Sequence, residues 1–303
     1  MSQGFGKISL LAHTNPKRQR GHSKSFMPEL PEVETMRRGI ALATGALISK
    51  IARPRSSLQS IIIEPPLGEF RHRAVGRRIE HVGRLGKRIV LGLDSRDLIV
   101  IEPRMTGLVF LAAPPDRKHL RLVIELSGPA EQILFWDQRG LGVVRLVSPQ
   151  EFQALYGPAK IGPDALLISA AELRERMGHS TRAIKVALLD QKALAGVGNL
   201  YASEILHRAG IHPARSCRRL RKTDWQRLHA EMLCVLHDAI QHQGSTLRDG
   251  TYRIARDAPG NYQANHRVYQ RHGQACLGCG KAQIVRIVQA QRSTFYCPAC
   301  QRR

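Results

Sequence analysis

The spacing of apolar positions changes along the chain, and each change marks a different architecture. From Pro28 onward, Leu30, Val33, Met36 or Arg37, and Ile40 recur at helical intervals. Proline is tolerated in a first helical turn, and Glu29, Glu32 and Glu34 lie near the positive end of the helix dipole. The pattern predicts a helix beginning at Pro28, with Gly45 as its terminator. Between about 46 and 148 short β-rich runs dominate. Leu47–Ile51, Arg88–Leu93, Leu98–Ile101, Leu108–Leu111, Leu120–Leu126, Gln132–Trp136 and Gly142–Leu146 read as strands, punctuated by Gly, Pro and Asp, which indicates a sandwich or barrel. Residues 156–163 have the composition of a linker. Helical spacing returns from Ala170 to about Gln243, in Glu172–Met177, Ala183–Leu189, Tyr201–Arg208 and Thr223–Gln243. The expected class is α+β. An N-terminal β-sandwich domain with flanking helices (28–156) precedes a helical domain (164–250), a loop region (251–268) and a C-terminal hairpin (269–303), with a ligand crevice between the two main domains.

Charge and cysteine content narrow the function. Lys and Arg number 47 against 24 acids, a formal charge of +23, which favours a polyanionic partner bound through phosphate neutralisation. Aromatic residues are only 5% of the chain, so extended base stacking is not the expected mode of binding. No segment approaches the roughly 18 apolar residues of a membrane span. Residues 1–26 carry five Lys/Arg and no acid, and the run Ile8–Ala12 is too short for a signal-peptide core; this extension is expected to be disordered or not translated. Cys276, Cys279, Cys297 and Cys300 form C-x2-C-x17-C-x2-C, the spacing of a zinc site. Four thiolates saturate a tetrahedral ion, so the expected Zn2+ is structural. Cys217 and Cys234 are expected to be plain thiols, and the whole pattern suits a reducing cytoplasm.

A free N-terminal proline is a secondary amine, and an α-amino group has a pKa near ~7.7–8.0, leaving a useful fraction unprotonated at neutral pH. Pro28-Glu29 in Met-Pro-Glu-Leu-Pro-Glu-Val-Glu-Thr therefore places a nucleophile beside a carboxyl group. This motif, together with the distant four-cysteine hairpin, resembles the formamidopyrimidine-DNA glycosylase family over about the whole of 28–303. The resemblance implies that Pro28 attacks the deoxyribose C1′ and that Glu29 serves as acid and base. It implies that Lys87, in Gly83-Arg84-Leu85-Gly86-Lys87-Arg88, grips DNA and assists elimination, and that His119 contacts DNA. Met105, in Arg104-Met105-Thr106-Gly107, together with Arg139 and Leu141 in the 137–142 turn, would fill the void left by a flipped nucleotide. Lys185, Asn199 and Arg292, the last near the hairpin tip, would hold phosphates, while Glu32 and Glu204 would orient the catalytic region. The segment from Asp190 to Pro213 resembles the family's helix–two-turn–helix core. The polar stretch between Leu247 and Tyr269 resembles its cap over the flipped base, which favours oxidised purines.

The chain also departs from the family pattern. Gln138, Gly140 and Leu141 stand where Asp-Pro-Arg-Arg-Phe-Gly is common, and leucine can wedge but cannot stack aromatically. Glu102-Pro103 stand where a His-Leu pair is common. The expected activity is that of a bifunctional DNA glycosylase and AP lyase, removing 8-oxoguanine and formamidopyrimidines from damaged double-stranded DNA. The expected protein is a monomer of the bacterial cytoplasm or nucleoid, with no membrane association. Catalysis through Pro28 needs its nitrogen free, so translation is expected to start at Met27. Alternatives are removal of the extension, or a non-catalytic zinc DNA-binding protein. An oxidised-pyrimidine glycosylase of the sister group is a further alternative, as is a general basic RNA binder.

Overall fold

The computed structural model describes residues 27–246, 252 and 259–302. The 1–26 extension and most of the expected cap, including Arg248-Asp249-Gly250 and Asp257-Ala258, lie outside the described residues. The first helix, α1 (Leu30–Gly39), begins two residues later than the sequence predicts, because Glu29 is its extended N-cap and Pro31 occupies the first turn. It also ends earlier, at Gly39 with Ile40 as the cap. Gly45, at φ +85°, instead closes the short turn that follows Ala41–Ala43.

Two sheets face each other behind α1. One runs β1 (Leu47–Ala52), β7 (Leu120–Ser127), β8 (Gln132–Asp137) and β6 (Gly107–Phe110), antiparallel throughout. The other runs β2 (Ile62–Glu64), β9 (Val143–Val147), β5 (Leu98–Glu102), β4 (Arg88–Leu93) and β3 (Ile79–Leu85), with only the β2–β9 pair parallel. The strands expected from the β-rich runs are present, and the β-sandwich reading holds. Strands β2 and β3 and helices α2 (Leu67–Ala74) and α3 (Pro149–Tyr156) were not anticipated. Strand β3 contains His81, Gly83 and Arg84 and owes its form to hairpin pairing with β4 rather than to its own composition.

The helical part comprises α4 (Ala170–Met177), α5 (Ile184–Leu188), α6 (Asn199–Arg208) and α7 (Lys222–Gln241), each within a few residues of its expected span. One buried apolar cluster runs from the inner faces of both sheets through Leu30, Val33 and Met36 of α1 to Leu200, Tyr201, Leu228 and Met232. Helix α1 also packs on α7, so it is shared by both parts of the molecule. A second cluster, Val90, Val100, Val147, Tyr156, Ile161 and Ala195, seals the outer face of the five-stranded sheet against the segment leading to α6. The chain closes with the hairpin β10 (Val285–Gln289) and β11 (Arg292–Tyr296), which packs on α6.

Candidate active site

The start of α1 meets the start of α6 at the bottom of a cavity of about 920 Å³. Pro28, Glu29, Lys87, Met105, Arg139, Asn199 and Arg292 all line it. These residues are scattered from one end of the sequence to the other, so only the fold can assemble them. Glu29 is 3% exposed, and its carboxyl group accepts hydrogen bonds from Leu200 N at 2.9 Å and Tyr201 N at 3.4 Å. The positive end of the α6 dipole therefore points at this carboxyl. Burial nonetheless raises its pKa above the ordinary carboxylate value, with the Lys87 charge and the α6 amides opposing. Burial thus shifts the balance towards the protonated form that an acid needs.

The loop before α6 is shaped around α1. Gly198 has no room for a side chain, since a Cβ there would lie 2.2 Å from Glu29 Cδ. Gly196, at φ +108°, would strike Leu30 in the same way, and its carbonyl accepts from Leu30 N at 3.1 Å.

Glu32 sits one turn deeper. Its Oε2 accepts from Glu29 N at 2.9 Å, and its Oε1 accepts from Tyr201 Oη at 2.6 Å and Ser245 N at 2.9 Å. Burial and the Glu29 charge push its pKa up to about 7. Lys87 occupies the β3–β4 turn, where burial lowers its pKa while Glu29 counteracts. The preceding residue, Gly86, has φ +56° and a virtual Cβ 3.1 Å from Ala195 Cβ, so the turn closely approaches the helical part. Arg84 fixes that approach. It donates to both oxygens of Asp164 at 2.6 and 3.2 Å, to Glu34 at 3.1 Å and to the Gly86 carbonyl at 2.9 Å.

The remaining expected site residues are distributed differently. Lys185 is 1% exposed and does not line the cavity. Its ammonium donates to Asn199 Oδ1 at 2.7 Å, Ser293 O at 3.1 Å and Thr294 Oγ1 at 2.7 Å, so it props Asn199 against the hairpin from behind. Burial pushes its pKa down to about 7. Glu204, also buried, accepts from the amides of Arg267, Val268 and Tyr269 at 2.7–3.0 Å and so anchors the strap that brings Tyr269 and Gln270 to the cavity. His119 is held by Asp116 at 2.9 Å and rests edge-on against Trp136, away from the cavity lining. Leu141 is exposed beyond the cavity, on the turn that Asp137 organises through the amides of Arg139 and Gly142.

Sequence reasoning missed Tyr201, Tyr269, Phe295, Arg88 and Arg104. The first three look like ordinary core aromatics, and no spacing signal separates them. Arg88 and Arg104 stood within motifs already noticed for Lys87 and Met105, and adjacency was the available clue.

The Sγ atoms of Cys276, Cys279, Cys297 and Cys300 lie within 4.8 Å of one another. Two of the separations are 3.8 and 3.7 Å. Zn–S bonds of about 2.3 Å in a tetrahedron give edges of about 3.8 Å, so the four thiols fit one structural Zn2+ with no position left for chemistry.

Comparison with known proteins agrees with this geometry. Residues 27–144 match the formamidopyrimidine-DNA glycosylase N-terminal domain, 161–251 the formamidopyrimidine-DNA glycosylase H2TH domain, and 273–303 the zinc finger found in FPG and IleRS. The formamidopyrimidine-DNA glycosylase of Chloroflexus aggregans is 40% identical, with 91% of this chain and 98% of the relative covered. That of Bacillus subtilis is 35% identical over 91% and 99%. The crystal structure of the MutM (FPG) protein from Thermus thermophilus superposes with a TM-score of 0.77 at 34% identity, covering 90% of this chain and 98% of that one. No helix among the described residues is long and apolar enough to cross a membrane. The chain belongs to the formamidopyrimidine-DNA glycosylase family, whose members are DNA glycosylases with AP lyase activity that remove oxidised purines in base excision repair.

Proposed function

We propose that the chain acts on damaged duplex DNA by an amine mechanism centred on Pro28. The observation carrying this reading is the convergence of Pro28, a buried Glu29 and Lys87 on one cavity. With its nitrogen free, Pro28 attacks C1′ of the damaged nucleotide. The N–C1′ bond forms as the glycosidic bond breaks, and the base leaves with a proton supplied from Glu29, whose raised pKa suits a donor. C1′–O4′ then breaks, with O4′ taking the proton released by the proline nitrogen. The opened sugar becomes an iminium that acidifies the C2′ hydrogen for removal by the Glu29 carboxylate. Its removal expels the 3′ phosphate by β-elimination, and the remaining phosphate leaves by δ-elimination, with the Lys87 ammonium close to the developing charges.

Met105 and Arg139, both on the cavity wall, fill the space vacated by the flipped nucleotide, with Leu141 adding contact farther out. Asn199 and Arg292 hold backbone phosphate. Lys185 stiffens that pair, and His119 contacts the duplex at its edge. Glu32 and Glu204 orient the site. Two Lactococcus lactis Fpg structures, about 30% identical to this chain with TM-scores near 0.78, contain Fapy-dG DNA and abasic-site DNA, which supports formamidopyrimidines as substrates, and we extend the reading to 8-oxoguanine. The working form is a monomer of the cytoplasm or nucleoid. The test is a gel assay on duplex DNA with 8-oxoguanine opposite cytosine. Protein beginning at Pro28 should excise the base and nick the strand, whereas protein retaining residues 1–27 should not. Equal activity of both forms contradicts the amine mechanism.

A further inference from the structure

The reaction above leaves unused a charge cluster at the end of β5. Glu102 lines the cavity beside Met105, where a carboxylate would be expected to repel DNA, yet it is only 5% exposed. Its Oε1 accepts from Arg145 Nη1 at 2.9 Å and Tyr156 Oη at 3.1 Å, with Arg88 Nε 3.5 Å away. Its Oε2 pairs with Arg104 Nη2 at 3.2 Å. Arg145 is committed elsewhere as well, to Glu64 at 2.6 Å. Arg88 and Arg104 have no second carboxylate within ion-pair distance among the described residues, and both line the cavity. Arg88 lies over the Tyr156 ring at 5.4 Å, and its buried Nε has no hydrogen-bond acceptor among the described residues.

Arg104 adds a second, independent sign of construction. Its φ is +57°, a conformation that favours glycine, although its side chain is half exposed. The ion pair with Glu102 holds this residue, and it directly precedes Met105. Three guanidinium groups face the two carboxylates of Glu102 and Glu64, so the cluster retains net positive charge on a wall that also carries Lys87.

We propose that Arg88 and Arg104, braced by Glu102, form a binding site for a phosphodiester of the DNA strand next to Met105. Glu102 is its positioning residue, turning an apparent repulsion into a fixed arginine fork. This rests on the reading of the cavity as a DNA site.

The sign of the Glu102→Gln effect separates positioning from plain charge. If the carboxylate merely repels DNA, E102Q tightens binding and steepens its salt dependence. The positioning role predicts weaker binding and a shallower slope. Arg104→Gly is the companion variant, because its backbone already suits glycine and folding should survive. Lesion-duplex affinity would be measured across a salt series for wild type, E102Q and R104G, with melting temperatures as a folding check. R104G should reduce the slope of log K against log salt by about 0.9, one phosphate contact. Its loss should appear in Kd and KM more than in kcat. Methylphosphonate placed at successive linkages should weaken wild type at one position and weaken R104G less there, identifying a DNA phosphate rather than a free anion as the ligand. Unchanged slopes in R104G, or tighter binding by E102Q, overturn the proposal while wild-type excision stands. Wild-type protein that neither binds nor excises removes the reading of the cavity and this proposal together.

Discussion

Gly198→Ala should disable the site with almost no change in composition. Gly198 has φ −127° and ψ −163°, extended backbone that alanine adopts freely, so the substitution brings no conformational strain of its own. The whole effect comes from contact. The new Cβ would stand 2.2 Å from Glu29 Cδ and 2.5 Å from its Oε1, about 1.2 Å inside the 3.4 Å at which ordinary contact begins. Relief requires Glu29 to move away from the α6 amides, breaking the bonds from Leu200 and Tyr201. Hydrogen bonds of this kind contribute about 0.5–1.5 kcal/mol each, and a misplacement of about 1 Å at a reacting group costs about 100-fold in rate. Single-turnover base excision by Gly198→Ala should therefore fall about 100-fold or more, with a melting temperature several degrees lower. In a Glu29→Ala background the same alanine should cost little stability, because the collision partner has gone. A Gly198→Ala enzyme excising within twofold of wild type would refute the claim that this carboxyl must sit on the start of α6.

Further consequences concern protons, the buried lysine and the metal. Glu32 holds its proton more tightly in the folded chain, with a pKa of about 7 against 4.5 unfolded, so its contribution to stability is present below pH 4.5 and lost as pH rises towards 7. Thermal melts from pH 5 to 8 should show wild type losing ground to Glu32→Gln; parallel curves would exclude that assignment. Burial lowers the His266 pKa to about 4 from 6.5, so protonation opposes folding and stability should fall as pH drops from 6.5 towards 4. His266→Gln should flatten that acid limb in the same melts. Lys185→Met removes the donor to Asn199 Oδ1 and Thr294 Oγ1, at about 1–3 kcal/mol each before relaxation, while the Ser293 carbonyl keeps the Asn199 Nδ2 donor at 3.1 Å. It should lower the melting temperature and raise KM, and an unchanged KM would remove Lys185 as the support of Asn199. Stripping zinc with a chelator should loosen the β10–β11 hairpin carrying Arg292 and weaken duplex binding in a fluorescence titration. Full affinity after verified metal loss would contradict the structural role.

The sequence was most informative where a local pattern sufficed. Short β-rich runs bounded by Gly, Pro and Asp located the strands from β4 to β9, most of which are buried on both faces and so read as continuous apolar stretches. The four cysteines declared the metal site because zinc demands thiolates at fixed spacing. Strand β3 escaped, since His81, Gly83 and Arg84 carry no strand preference and acquire it from pairing with β4. The Pro28–Glu29 pair was legible as chemistry, yet nothing local reveals that Glu29 docks on α6, 171 residues away at Leu200. Lys185 illustrates the opposite difficulty. A lysine in a short helix reads as a surface cation, and only tertiary packing shows it buried beneath Asn199. Glu102 likewise looked like a lost contact until the three arginines around it were placed.

The central claim is that the Pro28 nitrogen becomes covalently attached to the sugar. Protein beginning at Pro28 should be mixed with 8-oxoguanine duplex, reduced with borohydride, digested and analysed by mass spectrometry. The account predicts a stable adduct mapped to the Pro28 nitrogen, absent from Pro28→Gly at that mass and from protein retaining the residues before Pro28. Adduct found on Lys87 instead, or excision proceeding with no trappable adduct, would contradict it.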